Sequence, residues 1–130
     1  MLARQYRFRG HASLNLAYKK GQVFRGQFIS LRVWQNDRRK EFRLAVVVSK
    51  KVHKSAVVRN RIRRRIYEVV RSVSSEIGRP YDLVITCFSP QIAWTTSEDI
   101  TRQITGLLGR AAVISSKQHK DHGIVNEKDG

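Results

Sequence analysis

Arg59, Asn60, Arg61, Arg63, Arg64 and Arg65 crowd one short stretch that also carries Ile62 and Ile66. A guanidinium is planar, keeps its charge at any physiological pH, and grips phosphate oxygens through paired N–H donors. Several of these arginines stand three or four residues apart, where like charges meet on a helix at a combined cost of roughly 1 kcal/mol. Glu68 is the one carboxylate close by in sequence. A surface maintained against that repulsion points to a polyanion rather than to solubility alone. Lys50, Lys51 and Lys54 extend the charge up to the start of the stretch. There the unpaired backbone N–H groups of a helix N-terminus also favour an anion.

A second constellation lies upstream. Over residues 27–34 the chain alternates, so that Ile29, Leu31 and Val33 share one face of a strand while Phe28, Ser30, Arg32 and Trp34 share the other. Aromatic platforms for bases beside cations for phosphates are what hold an extended single strand of nucleic acid. Phe28, Ser30 and Arg32, joined by Tyr18 from a preceding helix, form the expected groove. Trp34 and Trp94 are read as packing residues outside it. Arg4, Arg7 and Arg9 belong to a basic arm that could reach RNA, in an orientation that the sequence does not fix.

Chemistry of other kinds finds little support. His119, Asp121 and His122 sit in a polar stretch with nothing to orient them as metal ligands, so no metal site is expected. The carboxylates are few and scattered, His11 and His53 have no evident acidic partner, and no glycine-rich phosphate loop or nucleophile elbow is present. No catalytic residue is expected in this chain. The single cysteine, Cys87, lies in an apolar run, which excludes an internal disulfide and reads as a small buried residue.

The elements that must position these residues follow from periodicity. At 130 residues and 41% hydrophobic content, with a formal charge of +16, the chain fits one basic domain whose counter-surface is nucleic acid. No apolar run is long enough to span a membrane, no secretory signal opens the chain, and a cytoplasmic location is expected. Residues 1–12 are read as a basic N-terminal arm, 13–114 as a single RNA-binding domain, and 115–130 as a disordered polar tail. Ser13 caps a short helix burying Leu14, Ala17 and Tyr18 and ended by Gly21. Strands are predicted over 27–34 and 43–49, paired antiparallel across a polar turn at 36–40. A helix over 56–73 buries Ile62, Ile66, Val69, Val70 and Val73, with Asn60, Arg64, Tyr67 and Arg71 opposite. Gly78 and Pro80 break it, a strand follows over 81–88, and Thr95 with Glu98 resembles a capping box opening a last helix. That helix buries Ile100, Ile104, Leu107 and Leu108, with Gly109 near its end. The expected class is α+β, a small mixed sheet with helices packed on it. Residues 43–88 form a βαβ unit whose hand periodicity cannot fix, although right-handed crossovers prevail in about 98% of parallel cases.

The run Ser49-Lys50-Lys51, continued by Ala56-Val57-Val58-Arg59-Asn60-Arg61, Arg63-Arg64 and Glu68, resembles the protein subunit of bacterial ribonuclease P. The resemblance extends from about Phe8 to about Val113, including the strand Tyr81-Asp82-Leu83-Val84-Ile85. Arginine stands at position 63 where lysine is common in that family, and Tyr67 replaces a residue often basic, which implies one phosphate contact fewer. The resemblance implies a ribosomal protein S5 domain 2-like fold with a left-handed βαβ crossover. It also implies a division of labour in an endoribonuclease that matures the 5′ ends of tRNAs. The RNA subunit hydrolyses with magnesium ions that it holds itself, and the protein binds that RNA and the 5′ leader of precursor tRNA. Lys50, Lys51, Lys54, Arg59, Asn60, Arg61, Arg63, Arg64 and Arg65 would face the catalytic RNA, and Tyr18, Phe28, Ser30 and Arg32 would line the leader groove. No obligate protein partner is implied. A ribosomal or general RNA-chaperone protein is the alternative, and a DNA-binding regulator would need a helix-turn-helix partner that is not visible.

Overall fold

Alternating side chains give this chain a sheet with one dry face, and the branched aliphatics of two helices cover it. The structure, a computed structural model, describes residues 20–114. The expected basic arm, the first helix with Tyr18, and the polar tail with His119, Asp121 and His122 lie outside the described residues. Four strands, β1 (Gln22–Arg25), β2 (Ile29–Gln35), β3 (Arg43–Val48) and β4 (Tyr81–Cys87), and two helices, α1 (Ala56–Ser72) and α2 (Ser97–Arg110), make up the frame. Short 3-10 turns at Ser74–Glu76 and Pro90–Ala93 join them.

The strand order is β1-β2-β4-β3. β4 runs antiparallel to β2 and parallel to β3, so β3, α1 and β4 form the expected βαβ unit. The expected pairing of β2 with β3 does not occur, because β4 separates them. β4 takes the centre for a physical reason: Leu83, Val84 and Ile85 are consecutive and each is at most 1% exposed, so this strand needs cover on both faces. The hairpin partner of β2 is β1, a strand that its four residues were too few to announce. Gly26 closes that hairpin, where its N–H reaches the Ile29 carbonyl at 2.8 Å. A Cβ there would stand 3.1 Å from the Ile29 oxygen and 3.3 Å from Leu107, so the close approach of sheet and α2 needs a glycine.

Ile29 and Leu31 of β2, Leu44, Val46 and Val48 of β3, and Leu83, Ile85 and Cys87 of β4 meet one core under the helices. α1 contributes the predicted stripe of Ile62, Ile66, Val69 and Val70, and Val73 at its C-cap is buried too. Each such aliphatic contributes about 1.5–3 kcal/mol by leaving water. Ser55 caps α1 by accepting from the Val58 N–H at 3.3 Å. α2 buries Ile100, Ile104, Leu107 and Leu108 as predicted. Its cap is one residue later than expected: Thr96 accepts from the Asp99 N–H at 3.2 Å, whereas Thr95 donates its hydroxyl to the Gln91 carbonyl at 2.6 Å. The 3-10 turn before the helix fixes that choice, because it occupies Thr95. Cys87 is 2% exposed, and burial pushes its thiol pKa up, as suits an inert core residue.

Candidate nucleic-acid interface

Helical geometry divides the basic residues of α1 into three directions. Toward the β3–α1 link, Arg59 donates from one guanidinium nitrogen to the carbonyls of His53 and Lys54, both at 2.9 Å. Arg63 points the same way, donating to the Val48 carbonyl at 3.2 Å and to Asn60 Oδ1 at 2.8 Å. On the opposite flank, Arg61 Nε donates to the Ala93 carbonyl at 2.9 Å. Arg65 reaches the carbonyls of Ile92 and Ala93 at 2.8 and 3.0 Å. Between the flanks stand Asn60 and Arg64, both exposed, and Arg64 has no partner among the described residues. Arg61 and Arg65 thus share one flank and Arg63 takes the other, as the helical repeat requires. Tyr67 differs: it is half-buried and packs against the core.

Neutral partners decide the electrostatics of this face. A backbone carbonyl orients a guanidinium without cancelling its charge, and each guanidinium has more N–H donors than these bonds use. The face therefore stays cationic while its side chains are already ordered. Arg65 has its pKa lowered, first by burial and then by the neighbouring charge of Arg61, yet an arginine remains protonated in any physiological buffer. Among the described residues, α1 carries an exposed pair of Arg71 and Glu68 at 3.8 Å, which contributes little. Lys50, Lys51 and Lys54 are all exposed on the link that precedes the helix. Val52 N–H bonds the Ser49 carbonyl at 3.0 Å and Ser55 N–H bonds His53 Nδ1 at 3.0 Å, so the link that carries these lysines is folded.

The groove residues are only partly brought together. Ser30 and Arg32 are half-buried on the sheet face turned away from the core, in register with Thr86 and Val84 of β4. Phe28 is not with them. It precedes β2, in a bend, and packs against the core on the α2 side, where it lines a cleft of about 510 Å3 with Trp94, Thr96 and Gln103. Alternation fails there because the strand begins at Ile29, two residues after the expected start, so Phe28 lies outside the pleat. Tyr18 lies outside the described residues.

Other aromatic and cationic side chains carry the features that sequence reasoning assigned to Phe28. On the same sheet face as Arg32, Trp34 has the Lys20 ammonium 5.6 Å from its ring centroid. The Arg25 guanidinium stands 4.9 Å over the ring of Phe88, which is 39% exposed. Phe88 could have been found from the alternation of the expected strand 81–88, whose last residue it is. Arg25 had no local signal. Trp94 is 66% exposed rather than packed, with its ring centroid 6.2 Å from that of His53. Asp82 was also missed. It is 1% exposed and accepts two bonds from Arg43 at 2.9 Å and one from Asn36 at 3.1 Å, which ties the ends of β2, β3 and β4. Among the described residues no helix is long and apolar enough to cross a membrane.

Comparison with known proteins agrees with this picture. The family model for Ribonuclease P matches residues 2–112. The ribonuclease P protein component of Chloroflexus aurantiacus is 32% identical over 126 residues, covering 97% of this chain and 92% of that protein. The corresponding component from Pseudanabaena is 35% identical over 86 residues, covering 66% of this chain and 74% of that one. Among solved structures, the Staphylococcus aureus RNase P protein superposes with a TM-score of 0.75 at 28% identity, covering 85% of this chain and 98% of that chain. The Thermotoga maritima RNase P protein, at 22% identity and a TM-score of 0.71, covers 80% and 96% and shares the fold.

Proposed function

This chain belongs to the family of ribonuclease P protein components, the protein part of an endoribonuclease holoenzyme with an RNA partner, and from that premise we propose how its surfaces divide the work. The exposed face of α1 and the link bearing Lys50, Lys51 and Lys54 bind the catalytic RNA subunit. The sheet face with Ser30 and Arg32 holds the 5′ leader of precursor tRNA, with Trp34 taking the aromatic role expected of Phe28. Hydrolysis belongs to the RNA and to magnesium ions it holds, and maturation takes place in the cytoplasm. The protein supplies counter-charge and substrate discrimination.

One observation carries this reading: Arg59, Arg61, Arg63 and Arg65 of α1 are anchored by carbonyls, so they are ordered and still charged. Such a face replaces condensed counterions on a folded RNA without paying much ordering entropy at the moment of binding. Engaging about six phosphates gives a slope of about −4 to −5 in the logarithmic salt dependence of RNA affinity. Arg64→Ala removes the α1 arginine that has no partner among the described residues, so its slope is shallower by about 0.7–0.9 while stability is unchanged within about 0.5 kcal/mol. Precursor cleavage at low magnesium should require the RNA subunit and improve with the protein. A flat salt response, or cleavage by the protein without RNA, contradicts the assignment.

A further inference from the structure

Val57 and Trp94 are the most exposed large apolar side chains among the described residues, at 76 and 66%. They belong to one place. Val57 lies one helical turn before Arg61 on the same flank of α1, and Arg61 bonds the carbonyl of Ala93, the residue before Trp94. An exposed tryptophan on a loose loop would call for no explanation, but this one is held from several sides. Its own N–H donates to the Gln91 carbonyl at 3.0 Å, and Thr95 donates to the same oxygen at 2.6 Å. Arg61 and Arg65 bind the Ile92 and Ala93 carbonyls. Beside it the His53 ring, tilted by 57°, is fixed through Nδ1 by the Ser55 N–H and through its carbonyl by Arg59. The backbone that carries both rings is thus fixed at the surface before any partner arrives, with Lys54 next to His53 in the chain and Arg61 bonded to the residue before Trp94.

We infer that Trp94 and His53 form a stacking seat for an unpaired base of the enzyme's RNA subunit, at the N-terminal end of the arginine helix. This rests on the function proposed above and extends it. A nucleobase offers a π-face to the indole, while its flanking phosphates meet the charge of Lys54 and Arg61. The RNA subunit is favoured over the leader because the seat continues the α1 surface, whereas Ser30 and Arg32 occupy the opposite side of the sheet.

The chain has two tryptophans, so Trp34→Phe, which keeps an aromatic ring in the proposed leader groove and is read only for emission with the RNA subunit, makes Trp94 the only one. In the whole chain with its RNA subunit, Trp94 emission is quenched on binding. Trp94→Ala weakens RNA affinity roughly 5- to 150-fold with the salt slope unchanged and the unfolding midpoint preserved. Trp94→Phe keeps most of the affinity, and Trp94→Leu loses as much as the alanine variant, because area without a π-face is not enough. Unquenched emission at saturating RNA, equal affinity of the leucine and phenylalanine variants, or quenching by precursor tRNA but not by the RNA subunit overturns the inference. If the unsubstituted protein binds the RNA subunit and promotes its cleavage as proposed while Trp94→Ala is unaffected, only the seat fails. If the unsubstituted protein binds no RNA, the proposed function fails and the seat with it.

Discussion

Arg43 of the sheet and Arg65 of α1 are both removed from full contact with water, yet they end on different kinds of partner. Arg43 is 9% exposed and grips both oxygens of Asp82. Arg65 is half-buried and grips backbone carbonyls. A guanidinium withdrawn from water on nearly every side needs an opposite charge, because its desolvation penalty is several kcal/mol. One that still touches solvent can be satisfied by neutral oxygens. The same residue type therefore fastens strands together with its charge cancelled in the sheet, and presents its charge outward on the helix. What separates a structural arginine from an RNA-facing one in this protein is the charge of the partner, more than the fact of being bonded.

The largest test of that contrast is Asp82→Asn. It leaves Arg43 charged, buried and without its carboxylate, so stability should fall by about 3–5 kcal/mol in denaturant unfolding. RNA affinity and its salt slope, measured where the fold is intact, should not change. A loss below about 1 kcal/mol would show that the sheet pair is no different from a surface one.

Arg65→Ala should cost about 1 kcal/mol, since solvent screens a half-exposed group and only carbonyl bonds are lost. Its signature is local: amide exchange across residues 90–94 should accelerate while the amides of β4 remain protected. Uniform acceleration through the sheet would mean that Arg65 supports the core in the way Arg43 does.

Asn60→Asp imposes the arrangement of the sheet on the helix, giving Arg63 a carboxylate in place of an amide oxygen 2.8 Å away. Stability should rise by about 0.2–0.5 kcal/mol, as for an ion pair one turn apart on a helix. RNA affinity should fall, with a shallower salt slope, because one cationic contact is neutralised. The opposed signs are the point of the experiment, and a variant that gains both stability and RNA affinity would refute the distinction.

Much of the frame is legible in local pattern. The buried stripe of α1, the aliphatic face of α2 and three of the strands follow from periods of 3.6 and 2, which depend only on near neighbours. The basic character of the helix is equally local, since clustering and spacing are visible along the chain. The candidate site is legible in part. Asn60 and Arg64 face outward as expected, and Arg61 and Arg63 fall on opposite flanks. Phe28 was misassigned because the strand begins at Ile29, two residues after the expected start, and leaves Phe28 in the bend before it, where alternation does not set the face. Trp94 was misassigned because exposure depends on what the rest of the chain leaves uncovered.

The sequence by itself determined that this protein has an amphipathic helix with a cationic face, an alternating sheet, and a charge that calls for a polyanion. Those properties arise from side chains within a few residues of one another. Only the tertiary structure decided that β4 lies between β2 and β3, that Asp82 cancels Arg43, and that carbonyls 27 to 32 residues away hold Arg61 and Arg65 without neutralising them. Those outcomes depend on contacts between segments distant in the chain, and an arginine carries no local mark of which oxygen it will meet.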